Sequence, residues 1–183
     1  MVLYRLLIRY TVILFLLFCG SLKGLHGQTM GVVVVSGGTV QFQFNSYQKI
    51  KDGISYPNYS RVKIYSINVD PACKGWKLYC KSNSLVLSDD GFSSLSLSYV
   101  KVTPKFESSD FPGGTVVYPG FILSDIGVGN VIAESTTVGL YNAKKAMIVL
   151  DIAFATSPGF VGLIDVKSGY YYLDLVFKIE EIF

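Results

Sequence analysis

The chain has a single histidine, His26, and it falls in a segment that reads as an export signal. Arg5 and Arg9 give a basic start, Tyr10 to Phe18 form a continuous run of Tyr, Thr, Val, Ile, Leu and Phe, and small residues lead to Gly24 and Gly27 ahead of Gln28. Charge, then an apolar run, then small residues is the order of a secretory signal peptide, here over residues 1–27. Its removal leaves residues 28–183 without histidine. A Ser-His-Asp triad, a Cys-His pair and an imidazole zinc site are then excluded.

A basic surplus is lacking as well. The 16 Lys and Arg residues outnumber the 13 Asp and Glu, but Arg5, Arg9 and Lys23 leave with the signal and no acid does. The remainder is neutral, with no basic run longer than Lys144-Lys145. Without counterion release to drive phosphate binding, nucleic acid is not expected as a partner. No Gly-x-Ser-x-Gly elbow, phosphate-binding loop, CxxC pair or Asp-x-Asp-x-Asp-Gly calcium loop occurs, so no metal and no small-molecule cofactor is implied. An apolar stretch extended from Leu6 to Leu22 would approach the ~20 residues of a membrane anchor. Cys19-Gly20 invites a lipid, but the bulky Phe18 stands where a small residue is usual.

Also missing are internal repeats, proline-rich linkers and any sustained helical period. Residues 28–183 are one domain's worth of chain. What they show throughout is period-two alternation. Val40, Phe42 and Phe44 alternate with Gln41, Gln43 and Asn45, and Tyr65, Ile67 and Val69 with Ser66 and Asn68. Trp76, Leu78 and Cys80 point one way, while Lys77, Tyr79 and Lys81 point the other. Ile148, Leu150, Ile152 and Phe154 form an apolar face, as do Tyr171, Leu173, Leu175, Phe177 and Ile179. Val32 to Val35 is apolar on both faces, which predicts a strand buried between layers.

Turn residues punctuate these runs at Ser36-Gly37-Gly38, Lys51-Asp52-Gly53, Asp89-Asp90-Gly91, Pro112-Gly113-Gly114 and Ser157-Pro158-Gly159. Short strands divided in this way at roughly 8–12-residue spacing predict an all-β antiparallel sandwich over residues 28–183. The stretch from Thr103 to Gly139 is the least regular and is expected to hold long loops and short edge strands.

Two cysteines, Cys73 and Cys80, remain after the signal. An even count in an exported chain predicts a disulfide between them, with a reversal around Lys74-Gly75. Ser-x-x-Lys occurs at Ser46/Lys49, Ser60/Lys63 and Ser98/Lys101. The catalytic form needs the serine at the start of a helix, which an alternating run does not supply. Asp89, Asp90, Asp151, Asp165 and Asp174 are acid-base candidates by residue type alone. The first two read as turn formers, and Asp151 and Asp174 as solvated. Asn58-Tyr59-Ser60 would accept a glycan in a eukaryotic secretory route.

Exposed tyrosines are the remaining binding signal. Tyr170 and Tyr172 fall opposite the apolar stripe of the last strand, and Tyr47, Tyr56 and Tyr59 gather before Arg61. A flat ring with a polar tip suits sugar stacking and protein interfaces, so Tyr56, Tyr59, Tyr170 and Tyr172 are the candidate ligand-binding aromatics. Tyrosines also favour strands and cover half-buried sheet faces.

Trp76-Lys77-Leu78 and the ending Pro158-Gly159 … Ser168-Gly169-Tyr170, leading into Leu173 to Ile179, resemble exported bacterial pilin-like and surface β-sandwich proteins. In such families a Gly-Tyr step opens the last strand of an immunoglobulin-like domain. Gln28 after the cleavage point is similar to the start of secreted proteins of the Bacteroidota. The resemblance implies an immunoglobulin-like or pilin-like sandwich and carries over no functional residue. The expectation is a non-enzymatic secreted or cell-surface structural or adhesion protein, such as a pilus-like subunit. Its partners would be other surface proteins, further copies of itself or extracellular glycans. Two alternatives stand beside it. One is a small outer-membrane β-barrel, suggested by the final strand ending in Phe183; the periplasm or outer membrane would then be its location. The other is a carbohydrate-binding module, suggested by the tyrosines.

Overall fold

A computed structural model describes residues 29–67, 69, 72–111, 115–123, 126–136, 143–154 and 166–183. The signal-peptide segment, Asp165 and the turns at 112–114 and 157–159 lie outside the described residues. The strands are β1 (Thr29–Ser36), β2 (Thr39–Phe44), β3 (Ile54–Ile67), β4 (Gly75–Ser82), β5 (Val86–Ser88) and β6 (Ser94–Leu95). They continue with β7 (Val100–Ser109), β8 (Thr115–Val117), β9 (Phe121–Ile122), β10 (Asn130–Ser135), β11 (Lys145–Phe154) and β12 (Gly169–Ile182). A short helix, α1 (Tyr47–Asp52), and a 3-10 turn at Leu97–Tyr99 complete the described elements.

The strands form two antiparallel sheets, as expected for an all-β sandwich. One has the order β1-β3-β11-β7-β9. The other has the order β6-β5-β12-β4-β10-β8, with β2 on the opposite edge of β12. β12 is thus the spine of the seven-stranded sheet. Its first half pairs with β2 and β5, and its second half pairs with β4.

Alternation converts directly into burial. Val62 and Ile64 of β3, Val100 and Val102 of β7, and Ile148, Leu150, Ile152 and Phe154 of β11 are buried. They face Val40, Phe42 and Phe44 of β2, Trp76, Leu78 and Cys80 of β4, and Tyr171, Leu173 and Leu175 of β12. Phe154 joins the layers, its ring centroid 5.0 Å from Phe42 and 5.3 Å from Phe44. These rings meet tilted or edge to face, an arrangement worth ~0.5–1.5 kcal/mol beyond the area buried. The packed apolar interior is the inverse of a porin-type barrel, whose interior is polar.

β1 and β2 behave as one strand that changes sheets. β1 pairs with β3, whereas β2 pairs with β12 in the other layer. The switch occurs at Gly37-Gly38. Gly37 has φ 67°, and a side chain there would meet the Tyr59 carbonyl and the Ser60 backbone. Ser60 Oγ donates to Gly37 O at 2.6 Å and Leu175 N donates to Gly38 O at 2.8 Å, tying the crossing point to both layers.

The tetravaline run does not lie between layers. β1 is the terminal strand of the five-stranded sheet, and Val33, Val34 and Val35 are 46%, 40% and 53% exposed. An edge strand shows solvent on both faces near its margin, so an apolar run alone does not distinguish it from a central strand. Next in the same strand, Gly31 lies beneath the ring of Tyr65, its direct cross-strand partner, and any β-carbon at Gly31 would overlap that ring.

The expected disulfide is also corrected. Cys73 and Cys80 are both free thiols, and both are buried. β4 is already extended from Gly75 to Cys80, a run of about 17 Å at ~3.3 Å per residue. Cys73, two residues before that strand, then lies beyond the ~4.4–6.8 Å between Cα atoms that a disulfide spans. Cys73 Sγ instead donates to Gly75 O at 3.1 Å.

Candidate functional site

On the outer face of the seven-stranded sheet, Tyr170 and Tyr172 stand two residues apart on β12, 39% and 37% exposed. Residues i and i+2 of a strand share a face, so the two rings point the same way about 7 Å apart. Opposite them on β2 are Gln43 and Gln41, and opposite Tyr172 on β5 is Leu87. Gln43 Nε2 donates to Tyr170 Oη at 2.9 Å, leaving that hydroxyl free to donate. Gln43, Phe44, Asn45, Ser168, Gly169 and Tyr170 line an open recess of about 280 Å³.

Phe92 adds to this end of the sheet. It is 92% exposed at the turn between β5 and β6. The turn is rigid: Gly91 N donates to Ser88 O at 3.0 Å, and Asp90 accepts from Ser88 Oγ (2.5 Å), Phe92 N (3.0 Å) and Lys167 Nζ (2.8 Å). The Lys167 ammonium first, then the Ser88 hydroxyl and the Phe92 amide, hold the Asp90 carboxyl well below the usual carboxylate range. Asp89 N donates to Tyr170 O at 2.9 Å, fixing the turn to the start of β12. Asp89 and Asp90 are turn formers, as their sequence context predicts. The two glutamines carry no sequence signal of their own, because only the register places them beside Tyr170 and Tyr172, and Phe92 is brought to this end of the sheet by a turn whose Asp89 N bonds Tyr170 O.

Tyr56 and Tyr59 are elsewhere. They stack on one another (5.3 Å, 30°), and Tyr56 stacks on Phe42 (6.0 Å, 20°), all at the margin where β2 has left β3. Tyr59 Oη donates to Thr39 O at 3.2 Å, and burial is the main cause that raises the pKa of Tyr56, opposed by its hydrogen bond to the Gln43 backbone. The hydroxyls therefore satisfy backbone groups along the otherwise open edge of β2. Tyr56 and Tyr59 are half-buried edge cover, and the structure brings them together with each other but not with the exposed pair.

The second half of the same outer face is polar. Tyr79, Lys81, Gly127, Gly129, Lys178 and Glu180 line a recess of about 240 Å³. Glu180 pairs with Lys178 and accepts a hydrogen bond from Tyr79; the lysine first and the phenol second depress its pKa. Tyr118 Oη donates to Glu134 at 2.7 Å, and Lys77 lies 3.7 Å from the same carboxylate. Both carboxylates are engaged by a cation and a phenol hydroxyl, and for Glu180 this favours the charged form.

The other acidic candidates are also engaged. Asp151 accepts from Asn58 N and pairs with Lys105, and Asp174 accepts from Thr39 Oγ1 at 2.6 Å. Ser46 caps α1, accepting from Lys49 N at 3.3 Å, so its hydroxyl serves a helix that periodicity does not announce over six residues. Ser60 is buried on β3 while Lys63 is exposed on the opposite face. Among the described residues no three His, Cys, Asp or Glu side chains gather as metal ligands, and no helix is long and apolar enough to cross a membrane. Comparison of the chain with protein-family models and with curated proteins finds no match.

Proposed function

We propose that this is a non-enzymatic secreted or cell-surface protein, structural and adhesive in the manner of a pilus-like subunit. Its contact surface is the face formed by Phe92, Leu87, Tyr172, Tyr170, Gln41 and Gln43. The observation that carries this reading is the exposure of large aromatic side chains on rigid supports. Tyr170 and Tyr172 sit on the central strand of a sheet, and Phe92 on a turn held by Asp90. Rigid aromatics lose little conformational entropy on binding and supply most of the energy at many interfaces. The engaged state of the carboxylates supports a binding role over catalysis.

A carbohydrate is the ligand this face fits best. Two parallel strand positions hold the tyrosine rings at a fixed spacing, and the glutamine amides beside them offer both donors and acceptors to hydroxyl groups. A glycan array probed with the exported protein tests this reading. Binding to extracellular glycans that disappears in Tyr172→Ala is expected. Hydrolysis of glycans or esters by the purified protein would overturn the non-enzymatic assignment. Retained binding in Tyr172→Ala would overturn the choice of face.

A further inference from the structure

We propose that the outer face of the five-stranded sheet docks, at its β1–β3 end, on an anionic bilayer surface. Register composes the patch. One row across β1, β3 and β11 reads Val33, Lys63, Met147, and the next reads Gly31, Tyr65, Lys145. Val33 is 46% exposed, and Ile67, beyond the second row, is 53% exposed. The Tyr65 ring lies across Gly31, with Lys145 directly opposite it and Lys63 two residues away on its own strand. Aliphatic, aromatic and cationic side chains therefore share one small area of a flat sheet.

Charge is divided between the two sides of the sandwich. The outer face of the five-stranded sheet carries five cations, Arg61, Lys63, Lys101, Lys105 and Lys145, against two acids, Glu107 and Asp151. Glu107 holds Arg61 at 2.7 Å, and Asp151 pairs with Lys105. The excess is Lys63, Lys101 and Lys145. Lys63 and Lys101 meet no acid among the described residues, and Lys145 comes only within 4.0 Å of Asp110, both side chains being more than half exposed. Because residues 28–183 are neutral, this face is net positive by three charges and the rest of them net negative by three.

An anionic bilayer is the occupant that complements both the charge and the apolar side chains. Lysines are drawn to its lipid phosphates, and a tyrosine ring settles at the headgroup level with its hydroxyl toward water. Val33 and Ile67 then leave water at the boundary of the acyl chains, as the apolar face of a surface-lying element does. A soluble polyanion satisfies the lysines but gives the two exposed aliphatic side chains nothing to bury against. The seven-stranded sheet faces the opposite way, so this docking leaves Tyr170 and Tyr172 directed away from the bilayer.

Co-sedimentation with lipid vesicles, using protein purified from its own cells, gives the test. Vesicles of equal parts phosphatidylglycerol and phosphatidylcholine should bind the protein, pure phosphatidylcholine should not, and added salt should weaken the binding. Lys63→Glu, at an exposed position, should lower the affinity at least about tenfold, because reversal removes one attraction and adds one repulsion. Val33→Ser combined with Ile67→Ser, unchanged in charge, should weaken binding as well. Lys81→Glu makes the same charge change on the other sheet and should bind as the wild type does. Wild type that binds heparin but not the anionic vesicles would make the occupant an anionic glycan and overturn the proposal. So would wild type that binds neither, equal loss in Lys63→Glu and Lys81→Glu, or undiminished vesicle binding in the Val33→Ser, Ile67→Ser variant.

Discussion

Asp151 of β11 accepts the backbone N–H of Asn58 at 2.8 Å, holding an irregular step in β3. Ile152 pairs with Tyr56 and Leu150 with Ser60, so Pro57, Asn58 and Tyr59 all stand opposite Asp151. Asn58 has φ 51°, a left-handed conformation that asparagine tolerates better than most residues. The step bends β3 at the point where Tyr56 and Tyr59 must reach over to β2. Asp151→Ala removes a charged acceptor whose loss is worth ~1.5–3 kcal/mol when buried and less at this partly exposed position. Asp151→Asn keeps an acceptor oxygen and should cost less. Urea midpoints that are equal for wild type and Asp151→Ala would contradict this account of the step.

Stability should fall in acid. Burial works against the Asp151 charge, but the Lys105 ammonium and the Asn58 amide outweigh it and lower its pKa. Asp90 and Glu180 are depressed by Lys167 and Lys178 respectively, together with hydrogen bonds. Depressed folded-state values mean that the stabilisation is fully present above the unfolded carboxylate pKa of ~4 and is lost as pH falls through the folded values. Denaturation followed from pH 7 downward should show a plateau to about pH 5 and then a decline. A midpoint that rises on acidification would contradict it.

The thiols should be inert in the folded protein. Burial pushes the Cys80 thiol up to about 12, which suppresses the thiolate that reacts. Mass spectrometry after alkylation should show both Cys73 and Cys80 unmodified under native conditions and both labelled in denaturant. Two residues protected in denaturant until a reductant is added would show a disulfide instead.

Trp76 is fully buried, 5.3 Å from Phe111, and its indole Nε1 has no hydrogen-bond partner among the described residues. Trp76→Ala should cost the ~3–5 kcal/mol of emptying a large aromatic site. Trp76→Phe removes the unpaired N–H along with part of the ring and should recover much of that loss. Thermal denaturation of the two variants checks the order; equal melting of Trp76→Ala and wild type would place Trp76 outside the core.

Where side chains alternate, the fold was legible in the sequence. Trp76, Leu78 and Cys80 face inward, and the Asp89-Asp90-Gly91 turn lies between strands as its composition suggests. What period-two reading lacks is register, and with it the lateral position of a strand. Four valines look alike whether a strand is central or marginal, so β1 emerged as an edge only from its pairing. The cysteines are close in sequence but separated by an extended strand, which spacing alone does not measure. Tyr56 and Tyr59 cover an edge created by the β1–β2 sheet switch, whereas Tyr170 and Tyr172 stay open to solvent. Distinguishing the pairs required knowing which strand lay beside each.

The proposed contact face is the central claim, and the most direct measurement is the affinity of the protein for glycans with and without its aromatic side chains. Phe92→Ala and Tyr172→Ala are exposed positions and should melt close to wild type, within about 0.5 kcal/mol for Phe92→Ala. Each should weaken glycan binding by at least about tenfold, the equivalent of 1.4 kcal/mol, if these rings are the anchors. Isothermal titration of folded wild type and both variants against the same glycan gives the comparison. Unchanged affinity in the two variants, with binding intact in the wild type, would contradict the assignment of this face.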